Sequence, residues 1–288
     1  MRADRERGGR AGADRRARLL RLSVRYLVLV VAAAIVLFPI YVTVVDALLT
    51  PQQVVSRPPT LFPTTPQWHT FATAFNQGDL GIYMRNSAIV TVATVALELL
   101  TSVLAAYAFV FLRFPGRRIL FAATLATLMV PLEATIIPNY QTIEKFGLLN
   151  TYPALVLPFV ASGIGIFLFR QAFLGFPKEL RDAAQLDGCG HLKFLFRIVM
   201  PINRPVMAAF ALFAFLTSWN QYLWPLVVTQ TANVRTLQIG LRQLSLTNFS
   251  QIDVVFAGSI LAFLPLALLL FIFQRQLVAG LTAGAIKG

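Results

Sequence analysis

The chain has 288 residues, of which 57% are hydrophobic and only 13% are charged. This composition excludes an ordinary soluble domain and indicates an integral membrane protein. A net charge of +13 would suggest nucleic-acid binding in a soluble protein. Here the basic residues are concentrated in alternate segments between the apolar stretches. This distribution reflects the orientation of a membrane protein, so we expect no nucleic-acid partner.

Several kinds of site are absent from the sequence. The single cysteine, Cys189, excludes an intramolecular disulfide. The two histidines form no cluster with cysteines, so we expect no metal site. The chain also lacks a Gly-x4-Gly-Lys-Ser/Thr loop. We therefore expect no catalytic residues and no nucleotide bound by this chain itself.

The N-terminal segment, residues 1–25, contains nine arginines. We predict a disordered, basic cytoplasmic tail that orients the first membrane span, in preference to a nucleic-acid-binding arm. A cleaved signal peptide is rejected because the apolar run that follows is longer than a signal sequence requires.

Six stretches are long and apolar enough to cross a bilayer, which requires roughly 20 apolar residues. They lie at about 26–48, 87–112, 119–137, 152–173, 205–228 and 254–273. The sequence thus predicts an all-α polytopic membrane protein. We divide it into the tail, a first span at 26–49, an extracytoplasmic loop at 50–82, a core at 83–274 and a C-terminal tail at 275–288. Within the loop, residues 67–76 predict a surface helix with an apolar stripe, which would lie at the interface or pack on the bundle.

Basic residues set the orientation of these spans. With the N-terminus inside, 20 of the 25 lysines and arginines fall in cytoplasmic segments and five fall outside. The positive-inside rule therefore places both termini in the cytoplasm, together with residues 177–205.

Residues 177–205, here called the 177–205 loop, form the most polar long segment in the second half of the chain. A short helix is predicted at 178–186, and Asp187-Gly188 would end it because glycine suits a left-handed C-terminal position. A second amphipathic helix is predicted at about 191–200, ending before Pro201. Two helices with a sharp bend between them predict a docking surface for a partner.

Polar side chains also occur inside the predicted spans, where they are costly and tend to face protein or water. Thr91, Thr94, Glu98 and Thr101 form one helical stripe. Glu98 is a candidate residue of the solute pathway, although we favour a structural or interspan role for it. At 1.5 Å per residue, Glu133 lies about 21 Å along the third span, and the cluster Trp219, Asn220, Gln221, Tyr222 lies about 21 to 26 Å along the fifth. We predict that they share one layer near a solute pathway.

Structural roles are the alternative to lining a solute pathway, both for Glu133 and for the cluster at 219–222. The Glu133 carboxyl could satisfy backbone groups freed by Pro131. The aromatic side chains Trp219, Tyr222 and Trp224 could belong to an interfacial belt. No lysine or arginine lies in the middle of a span, which favours a neutral polyol or a solute with a cationic end over a purely anionic one.

At Asp182 the 177–205 loop resembles a known motif. Asp182-Ala183-Ala184-x2-Asp187-Gly188, followed by Ile198 and Pro201, is similar to the EAA loop of bacterial ABC importer permeases. Asp182 stands where that family usually has glutamate, and Cys189 and Gly190 stand where alanine and serine are common. Other runs resemble the carbohydrate-uptake branch, and residues 113–115, 128–133 and 167–171 resemble the second permease of glycerol-3-phosphate and glycerophosphodiester importers.

This resemblance implies a type I ABC importer permease fold, with six transmembrane helices, in the bacterial cell membrane. It implies four partners: a homologous second permease, a dimeric ATPase that holds Mg-ATP, an extracytoplasmic solute-binding protein and a small-molecule solute. Residues implied to couple to the ATPase are Asp182, Ala183, Ala184, Leu186, Asp187, Gly188 and Leu192. Leu195 is expected to pack in the same cleft or against the permease. The tail at 280–288 is implied to reach the ATPase as well.

The sequence therefore predicts a non-enzymatic permease subunit that translocates glycerol-3-phosphate or a glycerophosphodiester such as glycerophosphocholine. A disaccharide importer of the maltose or trehalose type is the alternative within the family. A channel or secondary carrier that works without ATP would leave the 177–205 loop unexplained. A membrane enzyme is disfavoured because Glu98 and Glu133 lie at different expected depths and no histidine joins them.

Overall fold

The computed structural model describes residues 2–77, 79–247 and 251–282 and contains no strand within them. The prediction of an all-α protein is confirmed. The α-helices are α1 (Arg2–Leu48), α2 (Pro51–Val54), α3 (His69–Gln77), α4 (Leu80–Phe111), α5 (Arg117–Ala126), α6 (Leu132–Lys145), α7 (Tyr152–Val156), α8 (Gly163–Leu174), α9 (Lys178–Leu186), α10 (His191–Phe194), α11 (Met200–Ile202), α12 (Arg204–Trp219), α13 (Leu223–Val228), α14 (Leu237–Thr247) and α15 (Ile252–Thr282). Two 3-10 turns (Thr127–Met129, Leu157–Phe159) and a π-helical segment (Leu195–Val199) lie between them.

Three single helices are long and apolar enough to cross a membrane, namely Arg21–Leu48 within α1, all of α4, and Ile252–Gln274 within α15. Three bent helix pairs raise the number of candidate spans to six. The bends are 102° before α6, 46° before α8 and 83° before α12. The predicted third and fourth spans are therefore broken helices, with the breaks beside Pro131 and between Pro158 and Gly163. The predicted fifth span is also interrupted, because α12 ends at Trp219 and α13 begins at Leu223.

The N-terminal tail differs from its prediction as well. Helix α1 begins at Arg2, so the basic segment continues the first span and a disordered tail was the wrong expectation. Arginine and alanine, which dominate this segment, are strong helix formers, and the first proline of the chain is Pro39. The last residues of the predicted C-terminal tail, 283–288, lie outside the described part of the chain.

The predicted surface helix at 67–76 is found as α3, and it packs against α15 and α4. Thr70 and Ala74 form its buried side, and Phe71 packs on the same cluster. Trp68 precedes the helix and is 69% exposed. The helix therefore belongs to the bundle, although its buried face is not the stripe of aromatic residues.

Helix α4 lies at the centre of the bundle and packs against α8, α12 and α14. One buried cluster joins the end of α4 near Val103 and Phe111 to Phe169, Phe194 and Phe210. Aromatic rings dominate this cluster, with Phe111 in edge-on contact with Phe194 at 5.5 Å between ring centroids. The 177–205 loop is thereby packed on the end of the central helix.

Side chains of α4 also form hydrogen bonds with backbone carbonyls that the break between α7 and α8 leaves free. Thr101 Oγ1 donates a hydrogen bond to the carbonyl oxygen of Val160 at 2.6 Å, and Ser102 Oγ donates to that of Ser162 at 3.4 Å. Ser162 Oγ in turn accepts from the Gly165 N–H at 3.2 Å. Backbone groups freed inside a bilayer are costly unless they find such partners. The bend therefore depends on the neighbouring helix.

Replacing Thr101 with valine tests this dependence. The Thr101→Val protein loses the bond to Val160 while keeping the side-chain shape, so its free energy of unfolding should fall by about 1 kcal/mol. The measurement is reversible unfolding in mixed micelles. Thr217→Val is the matched control, because Thr217 is exposed and donates only within its own helix, to Phe213. Equal losses in both variants would contradict the role assigned to Thr101.

Candidate coupling surface and solute pathway

The first helix of the 177–205 loop ends where the sequence predicts. Helix α9 spans Lys178–Leu186, and Gly188 follows with a φ of 66°. The Cys189 N–H donates to the Ala184 carbonyl at 2.9 Å, and the Gly188 N–H donates to the Gln185 carbonyl at 3.0 Å. These two bonds form a Schellman motif, which closes the helix end and fixes the direction of the next segment. The predicted stop at Asp187-Gly188 is confirmed.

The second helix continues further than predicted. Helix α10, the π-helical segment and α11 run on through Pro201 to Ile202, so the expected end before Pro201 was wrong. Pro201 lies in the first turn of α11, where the missing N–H costs little. The chain then bends by 83° into α12, and Asn203 Nδ2 donates to the Val199 carbonyl at 2.8 Å beside this bend.

The outer side of the 177–205 loop carries apolar side chains that contact little else in this chain. Leu186 is 90% exposed and Leu192 is 66% exposed. Asp182, Ala183, Asp187 and Gly188 are exposed on the same loop. A rigid, capped helix with large exposed leucines is a surface suited to a protein partner.

Ala184 and Leu195 lie on the inner side of the loop, against the helical bundle. Ala184 is 6% exposed and Leu195 is fully buried, and both belong to the cluster around Phe111. The structure therefore corrects the implied role of Ala184, since its small side chain lets α9 approach its own permease. Leu195 packs against the permease, which is one of its two expected positions.

One side-chain hydrogen bond joins the 177–205 loop to the membrane spans, and no second one occurs among the residues the structure describes. It links the Tyr107 hydroxyl to His191 Nδ1 at 2.9 Å. Tyr107 is buried near the end of α4, and the Arg181 guanidinium lies 5.7 Å from the ring centroid of nearby Phe111. A cleft of about 120 Å³ remains beside these groups, and Cys189 lines it. Sequence reasoning missed this link because the two residues are 84 positions apart.

The polar stripe of α4 faces neighbouring helices. Thr91 Oγ1 accepts a hydrogen bond from Ser218 Oγ on α12 at 3.3 Å, and Thr94 is buried. Thr101 bonds the break in the fourth span, as described above. Glu98 lies in the same row and is half-buried. The arrangement of its neighbours agrees with the structural role favoured for Glu98.

The cluster at 219–222 divides into a buried and an accessible part. Trp219 is 4% exposed, and its indole Nε1 donates to the Ala262 carbonyl of α15 at 3.2 Å. Trp224 is 1% exposed and donates to the Ala154 carbonyl at 2.9 Å. Both tryptophans are thus internal packing residues, which corrects their assignment to a pathway or to an interfacial belt.

The remaining members of that cluster stay accessible. Asn220 is exposed, and its Oδ1 accepts from Gln238 Nε2 at 3.3 Å. Gln221 and Tyr222 are half-buried. These three residues lie in the gap between α12 and α13, so they remain candidates for contact with a solute.

Glu133 lies in the first turn of α6, directly after the 102° bend, and is exposed. The rise estimate that placed it level with residues 219–222 assumes a straight span, so the bend removes its basis. The backbone beside Pro131 is partly satisfied without the Glu133 side chain, because the Ala134 N–H donates to the Pro131 carbonyl at 3.1 Å. A carboxylate at this position is favoured by the helix dipole of α6.

The chain matches known proteins over most of its length. Residues 98–283 match the family described as "Binding-protein-dependent transport system inner membrane component". The chain belongs to this family. It is 39% identical to the arabinooligosaccharides transport system permease protein AraQ of Halalkalibacterium halodurans, covering 78% of this chain and 81% of that protein. It is 35% identical to the sn-glycerol-3-phosphate transport system permease protein UgpE of Yersinia pestis, covering 89% and 94%.

A solved structure shares the fold. A chain of a bacterial ABC transporter involved in the import of the acidic polysaccharide alginate aligns with a TM-score of 0.78 at 22% identity, covering 88% of this chain and 94% of that one. The resemblance to ABC importer permeases is thereby confirmed, as is the fold. The protein is a multi-pass membrane permease subunit and not an enzyme.

The hydrogen bond between Tyr107 and His191 can be tested with the only cysteine of the chain as a reporter. In Tyr107→Phe the ring packing stays and one bond worth about 1 kcal/mol is lost, so local opening of the loop should increase about fivefold. The measurement is the rate at which a maleimide labels Cys189, which is half-buried in the same cleft.

The control for this experiment is Tyr26→Phe, because Tyr26 is 64% exposed on the first span and far from the cleft in sequence. Its labelling rate should equal that of the wild type. An unchanged rate in Tyr107→Phe would show that the hydroxyl does not hold the loop.

Proposed function

We propose that this chain is one of two homologous permease subunits of an ATP-driven ABC importer. The 177–205 loop docks on a dimeric ATPase that holds Mg-ATP, and an extracytoplasmic binding protein delivers the solute. The main support for this proposal is the exposure of Leu186. Its side chain is 90% exposed at the end of a helix closed by a Schellman motif. The charge distribution supports a cytoplasmic position for the loop and both termini.

In this mechanism the loop acts as a lever during alternating access. ATP binding closes the ATPase dimer, which moves α9 through contacts with Leu186 and Leu192. Asp182 is exposed on α9 and pairs there with a basic residue of the ATPase. Gly188 holds the bend between the two helices. Residues 280–288 provide a second contact with the ATPase.

The proposed solute is glycerol-3-phosphate or a glycerophosphodiester such as glycerophosphocholine. Support comes from the 35% identity to UgpE of Yersinia pestis, which extends over 94% of that protein. A similar protein from Brucella abortus with the same description is 36% identical over 267 residues. Asn220, Gln221 and Tyr222 are the accessible polar residues of the proposed pathway, and a cationic choline group suits the aromatic ring of Tyr222. Glu133 is a separate candidate after the 102° bend, and its exposed carboxylate suits the same cationic group.

An oligosaccharide is the second candidate, and a different observation favours it. The identity to the arabinooligosaccharide permease is higher, at 39%, although it covers less of each chain. The middle of every span lacks lysine and arginine, which suits a neutral sugar better than a phosphate. A disaccharide of the maltose or trehalose type is also a neutral sugar and would suit these spans equally.

Uptake by the reconstituted importer distinguishes these solutes. Proteoliposomes with both permeases, the ATPase and the binding protein should accumulate labelled glycerol-3-phosphate or glycerophosphocholine in preference to trehalose and arabinotriose, and only when ATP is supplied. A preference for either sugar would replace the proposed solute and leave the importer intact. Accumulation without ATP or the ATPase would instead indicate a secondary carrier.

Gly188 provides the test of coupling. In Gly188→Val a branched side chain is forced into the left-handed region, which costs about 1 kcal/mol or more and disfavours the Schellman turn. Uptake per ATP hydrolysed should fall severalfold. Gly190→Val is the matched control, because Gly190 has ordinary extended backbone angles and open space around it, so coupling should persist. Normal coupling in Gly188→Val would contradict the lever.

A further inference from the structure

The turn between α4 and α5 holds three arginines around one open pocket. Arg113, Arg117 and Arg118 line it together with Phe114, Gly116 and Ile119. Arg117 Nη1 donates to the Leu112 carbonyl at 3.1 Å, which fixes one of the three guanidinium groups. In the described part of the chain none of the three pairs with a carboxylate. The pocket therefore concentrates positive charge that this chain does not neutralise.

A fourth guanidinium lies over an aromatic ring of α5, the helix that begins at the pocket. The Arg170 guanidinium carbon is 4.1 Å from the ring centroid of Phe121. Phe121 follows Arg117 by four residues, so the two side chains share one face of α5. The Arg170 Nε atom is buried and has no hydrogen-bond partner among the described residues. Arg170 thus extends the basic surface by one helical turn.

Exposed aliphatic residues adjoin the charged groups. Ile119 is 75% exposed and Leu120 is 54% exposed, and both lie in the first turn of α5. Helix α5 is the first half of a broken membrane span, so this turn lies where a span meets the headgroup region. A ligand that fits must join a negative group to a long apolar part.

We propose that this pocket binds an anionic glycerophospholipid. The phosphodiester lies among Arg113, Arg117 and Arg118, and the acyl chains lie along Ile119 and Leu120. Guanidinium groups bind phosphate oxygens through paired hydrogen bonds, and basic residues beside a span attract anionic lipids. A soluble phosphate would leave the aliphatic side unused.

Two arginines can be removed without disturbing the local fold. Arg113 and Arg118 are exposed, whereas Arg117 holds the Leu112 carbonyl and is left in place. Each arginine near a membrane surface changes lipid affinity about fivefold. The R113Q/R118Q variant should therefore bind phosphatidylglycerol about 25-fold more weakly.

The experiment uses the purified full chain in detergent micelles that contain equal amounts of phosphatidylglycerol and phosphatidylethanolamine. Native mass spectrometry measures retention of each lipid. The wild type should retain phosphatidylglycerol preferentially. The matched control is K193Q/R197Q, which removes the same charge from two exposed residues outside the pocket and should keep the preference of the wild type.

Four results would overturn the proposal. The first is unchanged phosphatidylglycerol binding in R113Q/R118Q. The second is an equal loss in K193Q/R197Q, which would indicate general surface charge. The third is displacement of the lipid by inorganic phosphate at the concentration of the lipid itself, which would indicate a soluble anion site. The fourth is loss of ATPase co-purification in R113Q/R118Q with lipid binding intact, which would assign the surface to the ATPase.

Discussion

Inside a bilayer, a backbone carbonyl released by a broken helix needs another donor, and this requirement organises the bundle. Helix α4 supplies many of the missing partners. Thr101 and Ser102 bond the break before α8, and Ser87 Oγ accepts the Leu237 N–H at 2.8 Å where α14 begins. Asn86 donates to the carbonyls of Ala232 and Arg235. The break before α8 and the start of α14 are therefore attached to one continuous helix.

Because its two ends bond different segments, α4 connects the two sides of the bundle. Tyr107 bonds the 177–205 loop, and Asn86 bonds the segment before α14. Tyr107 follows Asn86 by 21 positions, which span about 31 Å at 1.5 Å per residue, close to the thickness of the hydrocarbon core. In the proposed mechanism, a displacement of the loop would act on a helix that reaches the opposite side of the bundle without a break.

Hydropathy predicted the number of candidate spans but not where their helices break. A hydropathy window averages over about 19 residues, so a bent helix and a straight one score alike. Proline identifies only some of the breaks. Pro131 and Pro158 lie beside the 102° and 46° bends, whereas Pro39, Pro138 and Pro265 lie inside continuous helices. The outcome depends on whether a neighbour satisfies the freed groups, which is tertiary information.

In the 177–205 loop too, some features follow from the local sequence and others depend on tertiary contacts. The end of α9 was predictable because a glycine after an Asp acts through local backbone geometry. The burial of Ala184 was not, since either face of a short helix could have met the core. The hydrogen bond between Tyr107 and His191 joins distant parts of the sequence, and no periodic pattern predicts it.

The first span is less covered than the two other single-helix spans in the described part of the chain. Its side chains are exposed from Arg21 to Tyr41, and its buried positions begin at Val45. Such a helix needs no neighbour in order to enter the bilayer, whereas the broken spans need α4 beside them. Helix α4 precedes α8 in the chain, so the helix that bonds the break before α8 is synthesised before the segment that needs it.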